Sequence, residues 1–198
     1  MSGRVLVYLF ALTSEIGEIF GKEYGGLALS RTKTIVVPQD RLKEVLRHEL
    51  AHLFAAQWSP WTSPLLQEGL ATHLQGKVDG RPVDFRAFPH SLSRELRMRK
   101  LLQESFFFGR LETQACYVLA GSFTGFLIRR FGWEMYSTYY RKANRLNYHK
   151  LFVKCFGITL VQAEWQWRDE LMKSMVPDPE RRRKLIAGWD PKIIAEIF

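Results

Sequence analysis

The sequence has few cysteines, no long hydrophobic run and no low-complexity segment. Its two cysteines, Cys116 and Cys155, are too few for a disulfide framework, and free thiols are typical of a reducing compartment, so we expect a cytoplasmic protein. The apolar run over residues 5–12 is far shorter than the ~20 residues of a membrane-spanning helix, so we predict no integral membrane segment. We interpret this run as a first strand, and its early position fits a chain that is part of a longer precursor.

The amino-acid composition is typical of one globular domain. Its 198 residues are 46% hydrophobic and 25% charged, which excludes a disordered or fibrous chain. The net charge is +9, and the basic excess lies in residues 81–110 and 141–198. Because no nucleic-acid-binding fingerprint accompanies this charge, we attribute it to solvated helix faces and a basic tail, and nucleic acid is disfavoured as a partner. The oligomeric state is left open.

Strand signals are confined to the N-terminal part of the chain. The pattern predicts a strand over residues 5–10, a short helix over 14–20 that ends at Gly21, and a hairpin of two strands over 25–30 and 34–37. These elements predict a small mixed sheet.

Helix signals dominate the rest of the chain. Asp40 is predicted to cap a helix whose apolar residues recur every three or four positions, and a second helix is predicted between Ser63 and Gly76. Residues 76–90 are predicted to form a loop. Further helices are predicted over residues 92–103, 114–131, 133–144, 148–155 and 159–174.

The predicted fold class is therefore α+β, with a small N-terminal mixed sheet followed by a helical lobe. We expect a single domain over residues 1–176, in which residues 1–57 form the sheet and its following helix and residues 58–176 form the helical lobe. Residues 177–198 contain two prolines and the basic run Arg181–Lys184, and they are predicted to be a basic C-terminal extension.

Residues 48–52, His-Glu-Leu-Ala-His, carry the strongest chemical signal. Two histidines four positions apart share one face of a helix and can bind one metal ion. Glu49 lies about 100° round the helix from His48, where it can reach a water without being a ligand. A catalytic zinc site needs a third protein ligand, and Glu68 supplies one if its helix runs antiparallel to the first. The structural alternative, a buried helix with two satisfied histidines, requires a costly burial of polar groups.

These motifs resemble those of gluzincins, the zinc metallopeptidases whose third ligand is a glutamate. The resemblance is to the short peptidase MA-like branch, which is related to the aminopeptidase N and thermolysin-type catalytic domains, and it covers about residues 4–174. Besides His48–His52 and the Glu-Gly-Leu-Ala segment at residues 68–71, residues 117–127 are similar to the Y-x-x-x-G-S-F-x-x-F-L helix of that branch. Residues 156–160 resemble the start of its closing helix. The resemblance implies a zincin-like fold.

The resemblance also implies an activity, a cofactor and residue roles. The chain would be a zinc-dependent peptide-bond hydrolase acting on a peptide or protein substrate, with one Zn²⁺ per chain held by His48, His52 and Glu68. Glu49 would be the general base, and Tyr117 would donate a hydrogen bond to the oxyanion.

A strand that binds the substrate backbone is implied in the same way. An extended peptide would pair with the predicted edge strand that contains Gly25, Gly26, Leu27 and Ala28. Aminopeptidases of this type carry a glutamate there that binds the free amine of the substrate. Because this strand has no carboxylate, an endopeptidase-like cleft is expected.

A second departure from the pattern concerns the group that orients a ligand histidine. Thr72 stands where thermolysin types carry a carboxylate for this purpose, so the orienting group is expected to be weaker or to come from elsewhere. The three remaining histidines are not expected to be ligands. They are His73, His90 and His149.

Two non-enzymatic alternatives were weighed against the hydrolase. One is a catalytically silent, zinc-stabilised module that binds a protein or nucleic acid, and the short chain favours it because aminopeptidase relatives hold substrate with added domains. The other is a basic nucleic-acid binder without metal. The intact Glu49 favours the hydrolase, since a purely structural site has no use for a base at that position.

Overall fold

The fold, described by a computed structural model over residues 4–59, 62–109 and 113–187, begins with a three-stranded mixed sheet. Strand β3 (Thr34–Pro38) lies in the centre, pairs in parallel with β1 (Leu6–Phe10) and pairs antiparallel with β2 (Leu27–Leu29). Helix α1 (Thr13–Phe20) connects β1 to β2 and ends at Gly21, whose φ of 72° favours glycine. The predicted strands, the first helix and its terminator are therefore confirmed.

The two outer strands differ from the central one in their burial. Every residue of β3 is buried, as expected for a central strand. In the described part of the chain β1 pairs only with β3, and it exposes a run of apolar side chains. These are Leu6, Val7, Tyr8 and Leu9, each 43–54% exposed.

Helices α2 (Leu42–Ala55) and α3 (Pro64–Gln75) follow the sheet. The predicted start and end of α3 are confirmed, since Ser63 is its N-cap residue and Gly76 its C-cap residue. The prediction that Asp40 caps α2 is wrong. Residues 39–41 form a short 3₁₀ turn that contains Asp40, so α2 starts later, with Arg41 as its N-cap residue.

The remaining helices form a lobe around α7, which is buried along most of its length. The long predicted helices of this region are confirmed within two residues at each end. The lobe consists of α4 (Val83–Ser91), α5 (Met98–Leu101), α6 (Glu104–Phe108), α7 (Thr113–Phe131), α8 (Trp133–Lys142), α9 (Tyr148–Phe156) and α10 (Leu160–Met175).

The prediction of a loop over residues 76–90 is wrong. This segment contains a hairpin of β4 (Lys77–Val78) and β5 (Arg81–Pro82), followed directly by α4. Asp79 and Gly80, with φ of 51° and 73°, form the tight turn, and this residue pair is a strong hairpin signal.

The predicted continuous helix over residues 92–103 is also wrong. Arg168 of α10 donates hydrogen bonds to the carbonyls of Ser93 and Leu96, at 3.3 and 2.7 Å, and the Met98 amide donates to Glu164 at 3.2 Å. These tertiary hydrogen bonds occupy backbone groups that a helix would pair internally, so residues 92–97 bend and only α5 is helical.

The C-terminal segment continues the helical lobe over part of its length. Helix α11 (Pro179–Ala187) buries Leu185 against the lobe, and Arg182 donates to the carbonyls of Val176 and Pro177, both at 2.7 Å. Residues 188–198 of the predicted extension lie outside the described residues.

The α+β class is thus confirmed, with a small sheet and a mainly helical remainder. Among the helices of the described ranges, none combines the length and apolar character needed to cross a membrane.

Candidate metal centre

Helices α2 and α3 bring three predicted ligand side chains together. His52 lies beside Glu68, while His48, one turn earlier in α2, lies beside both Glu68 and Gln75, so the two helices run antiparallel as predicted. The Nε2 atoms of His48 and His52 are 3.1 Å apart, and each is 3.2 Å from Oε2 of Glu68. The three donor atoms therefore form a nearly equilateral triangle.

The sides of this triangle, 3.1–3.2 Å, are slightly shorter than those around a bound zinc ion. Zinc bonds of about 2.0–2.2 Å in tetrahedral geometry separate neighbouring ligand atoms by about 3.3–3.6 Å. Among the residues described here, His48, His52 and Glu68 are the one group of three metal-binding side chains that converges in this way. The residues present therefore fit a zinc ion, with three protein donors.

The hydrogen bonds around His48 also favour a metal. Its Nδ1 lies 3.0 Å from the amide oxygen of Gln75, which can only accept, so Nδ1 carries the proton. Nε2 then faces Oε2 of Glu68 at 3.2 Å, on the side of the ring where a metal would bind. Gln75 thus selects the tautomer that a metal ligand needs.

The electrostatics of the three donors keep Glu68 ionised. Burial alone would raise the pKa of Glu68, but the hydrogen bonds and charges of His48 and His52 together outweigh burial and lower the pKa to about 2. Burial is the largest influence on His52 and would lower its pKa, but the hydrogen bond with Glu68 and the charges of Glu68 and Glu49 together outweigh it and raise that pKa. A carboxylate with this charge is the ligand form that zinc binds.

Glu49 is buried beside the triangle but does not belong to it. A Cβ on Gly26 of the neighbouring segment would lie 2.6 Å from Oε1 of Glu49, so only glycine lets the backbone pass over this carboxylate. Burial raises the pKa of Glu49, and the two nearby histidines oppose that effect. A carboxyl group with a raised pKa is suited to accepting and releasing a proton.

Tyr117 lies on α7 across from α2. Its ring centroid is 6.0 Å from that of His48 and 5.3 Å from that of Phe107, which supports the ring from behind. Burial raises the pKa of the Tyr117 hydroxyl, so the phenol stays protonated and can donate a hydrogen bond.

A close contact between α3 and α7 fixes the distance between Glu68 and Tyr117. A Cβ on Gly69 would lie 2.9 Å from the Ala120 carbonyl oxygen, and one on Gly121 would lie 2.7 Å from the Thr72 side chain. These glycines let the two helix backbones approach closely, and in the sequence motifs Gly69 directly follows Glu68 while Gly121 lies one turn after Tyr117.

One cleft of about 420 Å³ connects the predicted site residues. All but one of them border it, namely Gly26, Leu27, Ala28, His48, Glu49, His52, Glu68 and Tyr117. The exception is Gly25, which packs against the Arg41 guanidinium. Strand β2 forms the rim and is an edge strand, as predicted.

Sequence reasoning missed two residues of this site. Gln75 is seven positions, or two turns, after Glu68 on the same face of α3, so helical spacing could have revealed it. Tyr140 of α8 also borders the cleft, and burial raises the pKa of its hydroxyl, with smaller contributions from Tyr136 and the Glu68 charge. No local signal points to Tyr140, because its position depends on how α8 packs.

Comparisons of this chain with models of known protein families, with curated proteins and with solved structures found no match. Any proposal about function therefore rests on the geometry of the site and the spacing of its motifs.

Proposed function

We propose that this chain is a zinc-dependent peptide-bond hydrolase with a gluzincin-like centre on a zincin-like fold. The observation that carries this proposal is the triangle of His48, His52 and Glu68 with the buried Glu49 beside it. A structural zinc site is closed by four protein ligands, whereas three ligands next to a free carboxyl group are typical of a hydrolytic site.

Glu49 and Tyr117 would have separate roles in the reaction. Zinc, when bound, supplies Lewis acidity and lowers the pKa of water to about 7. Glu49 accepts a proton from the attacking water and passes it to the leaving amine. The protonated phenol of Tyr117 donates a hydrogen bond to the oxyanion that develops on the scissile carbonyl.

Strand β2 would align the substrate. As an edge strand at the rim of the cleft, it can pair its outer backbone groups with an extended peptide. Its three residues, Leu27–Leu29, carry no carboxylate that could bind a free amine, so the proposed cleavage is internal to the peptide rather than at its N-terminus.

Replacing Glu49 by glutamine tests the proposal. We expect Glu49→Gln to keep one zinc per chain by elemental analysis and to lower hydrolysis of a quenched peptide library by about 10²–10⁴-fold, because only the base is lost. The exposed Glu134→Gln on α8 is the matched control and should hydrolyse normally. Full turnover in Glu49→Gln would refute this mechanism. Zinc binding without any hydrolysis by the unaltered protein would favour the catalytically silent module.

Tyr117→Phe tests the oxyanion donor separately. We expect kcat to fall by about 10²-fold with KM nearly unchanged, since this hydrogen bond forms mainly in the transition state. Zinc content should not change. A normal kcat would mean that Tyr117 only packs against Phe107 and His48.

A further inference from the structure

The metal cleft adjoins two further cavities along the helical lobe. Phe108 at the end of α6 borders the cleft and both of these cavities, which measure about 590 and 900 Å³. Gln67 borders the cleft and the smaller cavity, while Arg145 and Tyr148 border the two outer cavities. The three spaces therefore share walls, and we call the surface that they line, from the metal centre outwards, the groove.

The far part of this groove is basic. Arg99 and Arg145 line it together with Glu104, which is the one acidic side chain among the described residues bordering the two outer cavities. The ion pair between Arg145 and Glu104 spans 3.5 Å, and the two side chains are 86% and 69% exposed. An ion pair this exposed is weak, so a ligand carboxylate can replace Glu104 as the partner of Arg145.

We propose that this groove binds an extended peptide segment on one side of the scissile bond and takes an acidic side chain at its Arg99 and Arg145 end. The inference rests on the proposed peptidase function, because the groove begins at Glu68 and Tyr117. Between the two ends, the half-exposed Phe108 offers aromatic surface to the peptide. Guanidinium groups at the far end match a carboxylate in charge and geometry.

The placement of charge favours a peptide over a nucleic acid. A nucleic acid carries a negative charge at every nucleotide, so its groove is basic along the whole length. Here the arginines border the outer cavities, while the metal cleft carries Glu49 and Glu68 with one lysine, Lys22. A neutral peptide backbone with one acidic side chain fits this distribution.

Peptide binding by the zinc-loaded Glu49→Gln full chain gives the first readout. Matched peptides that carry a single glutamate or a single glutamine at each position in turn are compared by fluorescence anisotropy, so the position at which an acid is preferred is located by binding and does not depend on cleavage. We expect the glutamate peptide to bind about 3- to 10-fold tighter at low ionic strength, because it adds exposed ion pairs. The preference should shrink when salt rises from about 0.02 M to about 0.5 M.

Three variants test the residues named. Arg145→Glu should abolish the preference for glutamate, while Glu104→Gln should strengthen it, because the competing carboxylate is removed. The control Arg183→Gln removes a positive charge from α11, outside the three cavities, and should leave the preference unchanged. Opposite effects at positions 145 and 104 cannot arise from unfolding.

The possible outcomes separate this inference from the peptidase proposal. Hydrolysis with no preference for an acid at any position would overturn the groove and leave the peptidase intact. A preference in binding, sensitive to Arg145→Glu, without hydrolysis would support the groove and overturn the peptidase. An oligouridylate that binds more tightly than the glutamate peptide, and that Arg145→Glu releases, would overturn the peptide assignment.

Discussion

The two sides of the cleft are supported by hydrophobic cores of very different size. On the sheet side, a small core of Ile35, Val37 and Leu53 supports β2 and α2, and β1 is half exposed. On the other side, α3 and α7 belong to the large core of the helical lobe. The metal centre lies where the two sides meet, which we call the seam. His48 and His52 come from α2 on the sheet side, and Glu68 comes from α3 on the lobe side.

This difference separates stability from site geometry. Regions with few buried apolar contacts open at a lower free-energy cost than a large core. We therefore expect changes within the lobe to lower the global free energy of unfolding, and changes at the seam to alter metal binding in a protein that remains folded.

The largest expected effect lies deep in the lobe, at Glu164. Its buried carboxylate is 2.8 Å from Nη2 of Arg168 and 3.4 Å from Arg97, and it also accepts from the Met98 amide. Glu164→Leu leaves the buried Arg168 without its counter-charge and the Met98 amide without its acceptor, so we expect a loss of about 3–5 kcal/mol in the free energy of unfolding by urea titration.

A control on the same helix distinguishes burial from charge. The pair of Asp169 and Lys173 is about 60% exposed, so Asp169→Asn should cost less than about 1 kcal/mol. Equal losses in the two variants would mean that burial does not set how much a charged side chain contributes to the stability of the lobe.

The next effect compares the two sides directly through glycines. Gly69→Val forces side-chain atoms onto the Ala120 backbone, so we expect it to lower the free energy of unfolding by about 3 kcal/mol. On the sheet side, Gly17 of α1 faces only the flexible Glu23 side chain at such close range. Gly17→Ala should therefore be neutral or stabilising by up to about 1 kcal/mol. Thermal and urea unfolding of both variants measures the contrast, and a tolerated Gly69→Val would refute the close helix contact.

The smallest expected effect lies at the seam. Gln75→Leu removes the acceptor for Nδ1 of His48, so we expect zinc affinity, measured by chelator competition, to fall about 10- to 100-fold with little change in unfolding. Gln67→Leu, on the same helix and also in the cleft, is the control. An unchanged affinity in Gln75→Leu would show that the hydrogen bond does not orient the ligand.

The sequence predicted the parts of the structure that depend on local periodicity. The spacing of His48, His52 and Glu68, together with the cap residues of α3, placed three donors on facing helices, and their proximity is confirmed. Zinc binding and hydrolysis stay predictions. The mixed sheet was predicted as well, because the apolar run of β3 is distinct from the residues that flank it in the sequence.

The failures occur where distant residues decide the backbone. Residues 92–97 have helical spacing but are not helical. Arg168 and Glu164, which lie more than sixty positions later in the chain, bond to this segment and keep it from forming a helix. Periodicity cannot register such a partner. The sequence pattern does not single out Gln75, because the thermolysin-type motif that these residues resemble has its orienting carboxylate at the position of Thr72.

Strand β1 has a practical consequence for anyone who purifies this protein. A five-residue apolar strand without charge or proline, half exposed and with an unpaired edge in the described structure, is a template for pairing with the same strand of another molecule. Concentrated samples should therefore self-associate through their N-terminal strands. A lysine in place of Val7, whose side chain is 43% exposed, should keep the sample dispersed without disturbing the cleft.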